Sequence, residues 1–293
     1  MPRILDGKKI AAEIRQEIKK AVEKLRLEEG VIPGIAFVTA GDDPASLAYV
    51  TMKERACEEA GIRSWQFLFP PLTHEEALLA KIKELNGNPG VHGILVQLPL
   101  PVGLDRYRIL SAVSPEKDVD GFHPVNMGKL LLGHEGFYPC TPMGIVELLI
   151  RSGMTWRGKD VVIAGRSAIV GKPLAAMLMQ RRREANATVT LCHTGTRDLA
   201  AHTRRAEILV AAIGKARFIK ADMVSEGATI IDVGINRVED KTAERGYRLV
   251  GDVDFDEVAP KVAAISPVPG GVGPMTIAML LSNTLKAARD EHR

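Results

Sequence analysis

Cysteine, aromatic side chains and long apolar runs are all scarce in this sequence. Its 293 residues include three cysteines, Cys57, Cys140 and Cys192, an odd number with no paired spacing. That argues against a disulfide framework and for free thiols in a reducing compartment. Aromatics make up 4% and the basic residues are scattered, so a stacking platform for nucleic acid is poorly supported. No apolar run approaches the ~20 residues that span a bilayer, so no membrane partner is expected. The N-terminus runs into a charged amphipathic pattern without an apolar signal core. A cytoplasmic protein is expected.

Familiar motifs are missing too. There is no G-x-G-x-x-G. Gly165-Arg-Ser-Ala-Ile169 fails as a nucleophile elbow, because glycine is needed where Ile169 stands. Cys192 and His193 are neighbours on a predicted strand and point to opposite faces; the other histidines are scattered, so no metal site is expected. What remains is an ordinary globular composition, 46% hydrophobic and 26% charged, long enough for two domains. The net charge of +3 is a modest field that suits small anions.

The first informative stretch is Ser46-Leu-Ala-Tyr49-Val-Thr-Met-Lys53. Pro44 suits a first helical turn and Asp42 or Asp43 a cap, so a helix is predicted. Ser46, Tyr49 and Lys53 then share a face, which also fits an ordinary half-exposed helix. A lysine held among such groups and partly desolvated can lose its proton near neutral pH and act as a base.

Around that helix, periodicity predicts an amphipathic helix over 8–29 and strands at 35–39, 65–69 and 91–97, with a helix at 75–85. Strands alternating with helices indicate a parallel sheet, whose ligands bind beyond the strands' carboxyl ends. Gln97 and the Lys53 helix both fall there. Lys117-Asp-Val-Asp120-Gly-Phe is a polar loop in which one aspartate can be a cap or turn residue. Thr141 is placed as N-cap of a helix leading into a second domain, with Pro142 at its first position.

In the second half, strands are predicted at 160–165, 188–193, 207–212 and 229–233, as in a doubly wound dinucleotide domain. Gly165 and Gly171 would let backbone approach a phosphate at a helix N-terminus. After the second of these strands an NAD site usually carries an acid for the ribose diol. Here stand His193, Thr194, Gly195, Thr196 and Arg197, with Arg166 nearby, which favours the 2′-phosphate of NADP. Residues 266–276 carry three prolines and three glycines; they are expected to be neither strand nor helix but a rigid wall, with the last helix starting at Ile277.

Four separated motifs carry a resemblance that covers essentially the whole chain: Tyr49-Val-Thr-Met-Lys53; Ile94-Leu-Val-Gln97-Leu-Pro with Lys117-Asp-Val-Asp120-Gly-Phe; Gly165-Arg-Ser-Ala-Ile-Val-Gly171-Lys-Pro; and Pro269-Gly-Gly-Val-Gly-Pro-Met-Thr276-Ile. The chain resembles the bifunctional methylenetetrahydrofolate dehydrogenase/methenyltetrahydrofolate cyclohydrolases of one-carbon metabolism. The resemblance implies a two-domain α/β fold with the active-site cleft between the domains. Residues 1–141 and 276–293 would bind the tetrahydrofolate substrate, and 142–275 would form a Rossmann-like NADP domain. It makes Lys53 the acid/base group, tuned by Gln97, with Tyr49 shaping the folate slot, Ser46 assisting and Asp120 gripping the pterin. Pro269, Gly270, Gly273 and Pro274 would border the substrate, while Gly165, Arg166, Ser167, Gly171, His193, Thr194 and Ile235 would hold NADP. It also implies a homodimer. Thr194 stands where the family commonly has serine, which keeps the hydroxyl, and the Arg-rich stretch at 180–185 is about one helical turn longer than usual. A monofunctional dehydrogenase, for which Lys53 would be superfluous, and a non-catalytic nucleotide-binding protein are the rival readings.

Overall fold

The computed structural model describes residues 1–181, 185–243 and 246–290. The chain begins β1 (Arg3–Ile4), α1 (Gly7–Glu29), β2 (Gly34–Ala40), α2 (Pro44–Ala60), β3 (Arg63–Phe69), α3 (Glu75–Asn86), β4 (Gly93–Val96), α4 (Arg106–Ser111) and α5 (Pro124–Leu132). It continues α6 (Cys140–Arg151), β5 (Asp160–Ala164), α7 (Gly171–Leu178), β6 (Thr188–Cys192), α8 (Leu199–Thr203) and β7 (Ile208–Ala211). The last elements are β8 (Thr229–Asp232), β9 (Asn236–Glu239), β10 (Tyr247–Val250), α9 (Phe255–Val258), β11 (Ala264–Ile265) and α10 (Val272–Asp290). Two compact units result. One holds Ala12–Cys140 with the described residues from Ile277 onward, the other Met1–Ala11 with Thr141–Thr276.

In the first unit β2 lies between β3 and β4, all parallel. Every residue of β2 is buried, which explains its unbroken small and apolar sequence. Ala36, Val38 and Ala40 pack with Leu78, Ile82, Ile94, Val96 and Ile109; each fully buried Val or Ile contributes about 1.5–3 kcal/mol. Asp43, rather than Asp42, caps α2 by accepting from the Ser46 N–H at 2.8 Å. Gly61 closes that helix at φ 76°, a conformation that costs glycine no steric strain.

The second unit is a parallel six-stranded sheet in the order β1-β11-β8-β7-β5-β6. The chain leaves β5 to form β6 on one side and returns to form β7 on the other, so the strand order reverses at β5. That reversal is where a doubly wound sheet opens a ligand crevice. Met1–Ala11 belong here and not with the substrate-binding half expected for them, because β1 pairs with β11. A two-residue strand has no periodicity to read.

Three local expectations are corrected. Cys140 rather than Thr141 opens α6, and the Thr141 hydroxyl meets that of Thr276 at 3.0 Å. The Gly/Pro-rich stretch is not loop throughout: α10 starts at Val272, with Pro274 in its first turn, where a missing N–H costs nothing. The strand predicted at 91–97 is a ladder only over Gly93–Val96. Residues 182–184 of the Arg-rich stretch lie outside the described residues.

Candidate active site

Lys53 projects from α2 into the first unit and is 5% exposed. Its Nζ donates to Gln97 Oε1 at 2.9 Å, and the Gln97 Nε2 donates to the Leu98 carbonyl at 2.7 Å. The second bond fixes which end of the amide faces the amine. The Lys53 ammonium also sits 4.7 Å from the Tyr49 ring centroid, within cation–π range. Burial lowers the lysine's proton affinity below its ordinary value, and Asp120, the strongest opposing charge, raises it. The Asp120 carboxyl is in turn pushed up by burial and held down by Lys53. A fraction of its surface still reaches solvent although protein surrounds it. An amine and a carboxylate, both biased toward their neutral forms, therefore face one another.

The two aspartates of the polar loop do different work. Asp118 accepts from the Phe122 and His123 N–H groups at 3.1 and 2.8 Å and from Asn126 Nδ2 at 2.9 Å. Burial pushes it up to about 7, against those three bonds. It is the turn residue. Asp120 instead faces Lys53 and the Cys140 thiol. Ser46, whose spacing puts it on the helical face of Tyr49 and Lys53, has its hydroxyl committed to the capping Asp43 at 2.8 Å.

Two residues around this loop carried no signal that the sequence reading used. The Cys140 thiol donates to the Val119 carbonyl at 3.3 Å and lies against Asp120. Asn283, 3% exposed on α10, donates to the same carbonyl at 2.8 Å and to that of Tyr138 at 3.2 Å. An asparagine on the apolar face of the last helix was the available clue.

In the second unit a cleft of about 480 Å³ opens at the carboxyl ends of β5, β6 and β7. Arg166, Ser167, His193 and Thr194 line it, together with Leu199, Ile213, Lys215 and Phe218. Among the described residues that line it, none is acidic. Gly165, at φ 139°, runs so close to β7 that a Cβ would strike the Ala212 carbonyl oxygen, and a Cβ on Gly171 would strike that of Gly165. The glycines thus close the strand–turn–helix corner onto itself. The cleft fits a phosphorylated dinucleotide: cations and hydroxyls replace the expected ribose acid. Gly171 opens α7 and Ile235 is exposed between β8 and β9; neither lines the cleft. Pro269 and Gly270 lie in the loop before α10, and Gly273 and Pro274 in its first turn; all four belong to this unit.

Among the described residues, no helix is long and apolar enough to cross a membrane, and no three His, Cys, Asp or Glu gather to hold a metal ion.

The family description "Tetrahydrofolate dehydrogenase/cyclohydrolase, catalytic domain" matches residues 5–120, and "Tetrahydrofolate dehydrogenase/cyclohydrolase, NAD(P)-binding domain" matches 139–292. The chain is 55% identical over 287 residues to the "Bifunctional protein FolD" of Moorella thermoacetica, covering 98% of this chain and 99% of that one. It is 53% identical to that of Chloroherpeton thalassium, with 97% of each covered. Among solved structures, the bifunctional FolD enzyme of Campylobacter jejuni superposes with TM-score 0.94 at 47% identity, covering 99% of this chain and 100% of that one. The Trypanosoma brucei dehydrogenase-cyclohydrolase, complexed with NADP cofactor and inhibitor, has TM-score 0.94 at 38% identity, covering 100% and 99%. With both halves matched by its two domain descriptions, and full-length relatives above 50% identity, this chain belongs to the tetrahydrofolate dehydrogenase/cyclohydrolase family.

Proposed function

We propose that the chain oxidises 5,10-methylenetetrahydrofolate to 5,10-methenyltetrahydrofolate with NADP, then hydrolyses the product to 10-formyltetrahydrofolate, in one-carbon metabolism. The observation that carries the second activity is the buried Lys53 amine bonded to Gln97 with Asp120 beside it. A monofunctional dehydrogenase has no use for that set.

Bound NADP supplies the hydride acceptor, and the cations, hydroxyls and tight glycine corner of the cleft fit it. Asp120 accepts two parallel N–H bonds from the aminopyrimidine edge of the pterin and so orients the folate. Tyr49 forms a wall of the slot. Hydride departure leaves a methenyl cation, and it releases no proton from the reacting carbon. Water then adds to that carbon. Lys53 takes one proton of the attacking water. The remaining hydroxyl proton leaves as the formyl C=O forms, N5 gains a proton as the carbon–N5 bond breaks, and the formyl group stays on N10. A cation next to an ammonium lowers its proton affinity by like-charge repulsion, so the first product itself helps ready Lys53 as base. Pro269, Gly270, Gly273 and Pro274 are assigned to the folate by resemblance, and Ile235 and Gly171 to NADP on the same ground.

A homodimer and a cytoplasmic location complete the reading. The edge strand β3, with Leu68 59% exposed, offers a face that a second copy would cover. Cys57, Cys140 and Cys192 are free and buried, which suits a reducing compartment.

The test follows NADPH and the methenyl product together by absorbance, starting from methylenetetrahydrofolate and NADP. NADPH formation with transient methenyl product supports both activities. NADPH with stoichiometric, persistent methenyl product would reduce the chain to a dehydrogenase.

A further inference from the structure

The loop after β7 reaches the cofactor cleft with an unusual electrostatic burden behind it. Asp252, 0% exposed, accepts from three consecutive backbone N–H groups of that loop: Ile213 and Gly214 on Oδ2 at 2.6 and 2.9 Å, and Lys215 on Oδ1 at 2.9 Å. Asn236 Nδ2 adds a fourth bond at 2.9 Å. Asp232 lies directly behind, accepting from the Asp252 and Val253 N–H groups at 2.9 Å each. Burial pushes Asp232 up to about 7, and the charge of Asp252 adds to that.

Two consequences follow for the cleft wall. The loop's N–H groups are already taken, so its backbone cannot donate to an anion as such turns commonly do. A buried carboxylate beneath the wall also makes the potential there unfavourable to phosphate unless a cation offsets it. Lys215 is that cation: it lines the cleft, exposed, with its Nζ 4.9 Å from the Phe218 ring centroid. The cleft it shares is the adenosine half of a dinucleotide site. Its lining includes Cys192, His193 and Thr194 at the end of β6, where the ribose hydroxyls are read, and omits Gly171 and Lys172 at the start of α7, where a pyrophosphate sits.

We propose that Lys215, on a loop pinned by Asp252, is a second cation for the cofactor's 2′-phosphate, acting from the β7 side of the cleft while Arg166 acts from the β5 side. The proposal rests on the cofactor reading of this cleft. Lys215 is a specificity determinant, with Asp252 as its positioning residue.

The experiment compares Lys215→Met and Lys215→Arg with the unmodified protein. It measures steady-state kinetics with NADP and with NAD, and calorimetric binding of adenosine 2′-monophosphate and of adenosine. A charge-assisted bond to phosphate predicts that Lys215→Met lowers the NADP-over-NAD preference about tenfold or more, through KM for NADP. Lys215→Arg should retain most of the preference, and adenosine 2′-monophosphate should lose affinity where adenosine does not. Equal losses with both cofactors, or no change in either, would overturn the assignment. If the unmodified protein bound adenosine 2′-monophosphate no better than adenosine, the cofactor reading of the cleft itself would fall. If it discriminates and Lys215→Met discriminates equally well, only the Lys215 assignment falls.

Discussion

Gln97 presents Oε1 to the Lys53 amine at 2.9 Å because its Nε2 is held by the Leu98 carbonyl at 2.7 Å. The amide is a fixed acceptor that directs one N–H of the amine. Gln97 is 9% exposed and follows β4 directly, so the sheet itself sets its position.

Lys53→Met should separate the two activities. Methionine keeps much of the apolar stem and removes the amine. A positioned general base is typically worth ~10²–10⁴ in rate, about 3–5 kcal/mol of barrier. Cyclohydrolase turnover should fall by that order while NADPH production falls less and methenyl product accumulates in neutral buffer. If both activities drop by the same factor, Lys53 positions the folate and is not the base.

The pH dependence follows from the direction of the Lys53 shift. Burial lowers its pKa below 10.5, so the amine becomes a base at lower pH than a free lysine would. Cyclohydrolase activity should rise with pH through that lowered value, and dehydrogenase activity should not share the limb. Removing the Asp120 charge should move the limb further down, since the Asp120 carboxylate is the strongest influence that keeps the proton on the amine. The unfolded chain holds this proton up to the ordinary value. Stability from this site therefore rises with pH between the folded and unfolded pKa. A limb that stays put in Asp120→Asn would show that the two groups are not coupled.

The parts of this molecule legible in the sequence are those written in short-range pattern. β2 could be read because burial on both faces leaves an apolar run, and α2 because Pro44, Asp43 and Gly61 punctuate it. The Lys53–Gln97 pairing lay within reach because a strand end and a following helix have fixed places in a parallel sheet. What escaped was long-range or conditional on context. Met1–Ala11 join the nucleotide-binding unit through a two-residue strand. Nothing local separates Asp118, bound to two backbone N–H groups of its own turn and to the Asn126 amide of α5, from Asp120, which is not. Asp252 contacts a loop 37 to 39 residues away in sequence, so neither its burial nor the cation it supports shows in any window.

Asp120→Asn should weaken folate binding and leave NADP binding in place. The asparagine offers one acceptor and one donor where the aminopyrimidine edge needs two acceptors. A buried group left unpaired costs about 1–3 kcal/mol, more if charged, so folate affinity should drop roughly tenfold or more. Unchanged affinity by titration calorimetry would move the pterin contact away from Asp120.

Arg166→Ala should remove a large part of the preference for NADP, leaving the remainder to Lys215. Arg166 is exposed on the cleft lining, so its loss should leave the melting temperature nearly unmoved. The matching readout is the salt dependence of NADP binding, which should flatten when one phosphate contact is lost. Equal use of NADP and NAD by the unmodified enzyme would sink the claim, whatever the variant does.

Asp252→Asn should destabilise the nucleotide-binding unit, and two effects of opposite sign decide by how much. The asparagine amide turns donors toward a cluster of donors, so at least one of the bonds from Ile213, Gly214 and Lys215 is lost and an N–H pair is set against another. Each buried group so stranded costs about 1–3 kcal/mol. Against this, removal of the charge relieves Asp232, whose carboxyl Asp252 helps to push up. That relief is one interaction against several, so the net should be a loss of about 2–4 kcal/mol, or roughly 4–15 °C in melting temperature. Saturating NADP should recover part of the shift, because the ligand binds only the folded unit. The Asp232 carboxyl should titrate lower in the variant, which carbon-13 NMR of the carboxyls can follow. A variant that melts like the unmodified protein and binds NADP equally well would mean that the loop after β7 holds its shape without Asp252.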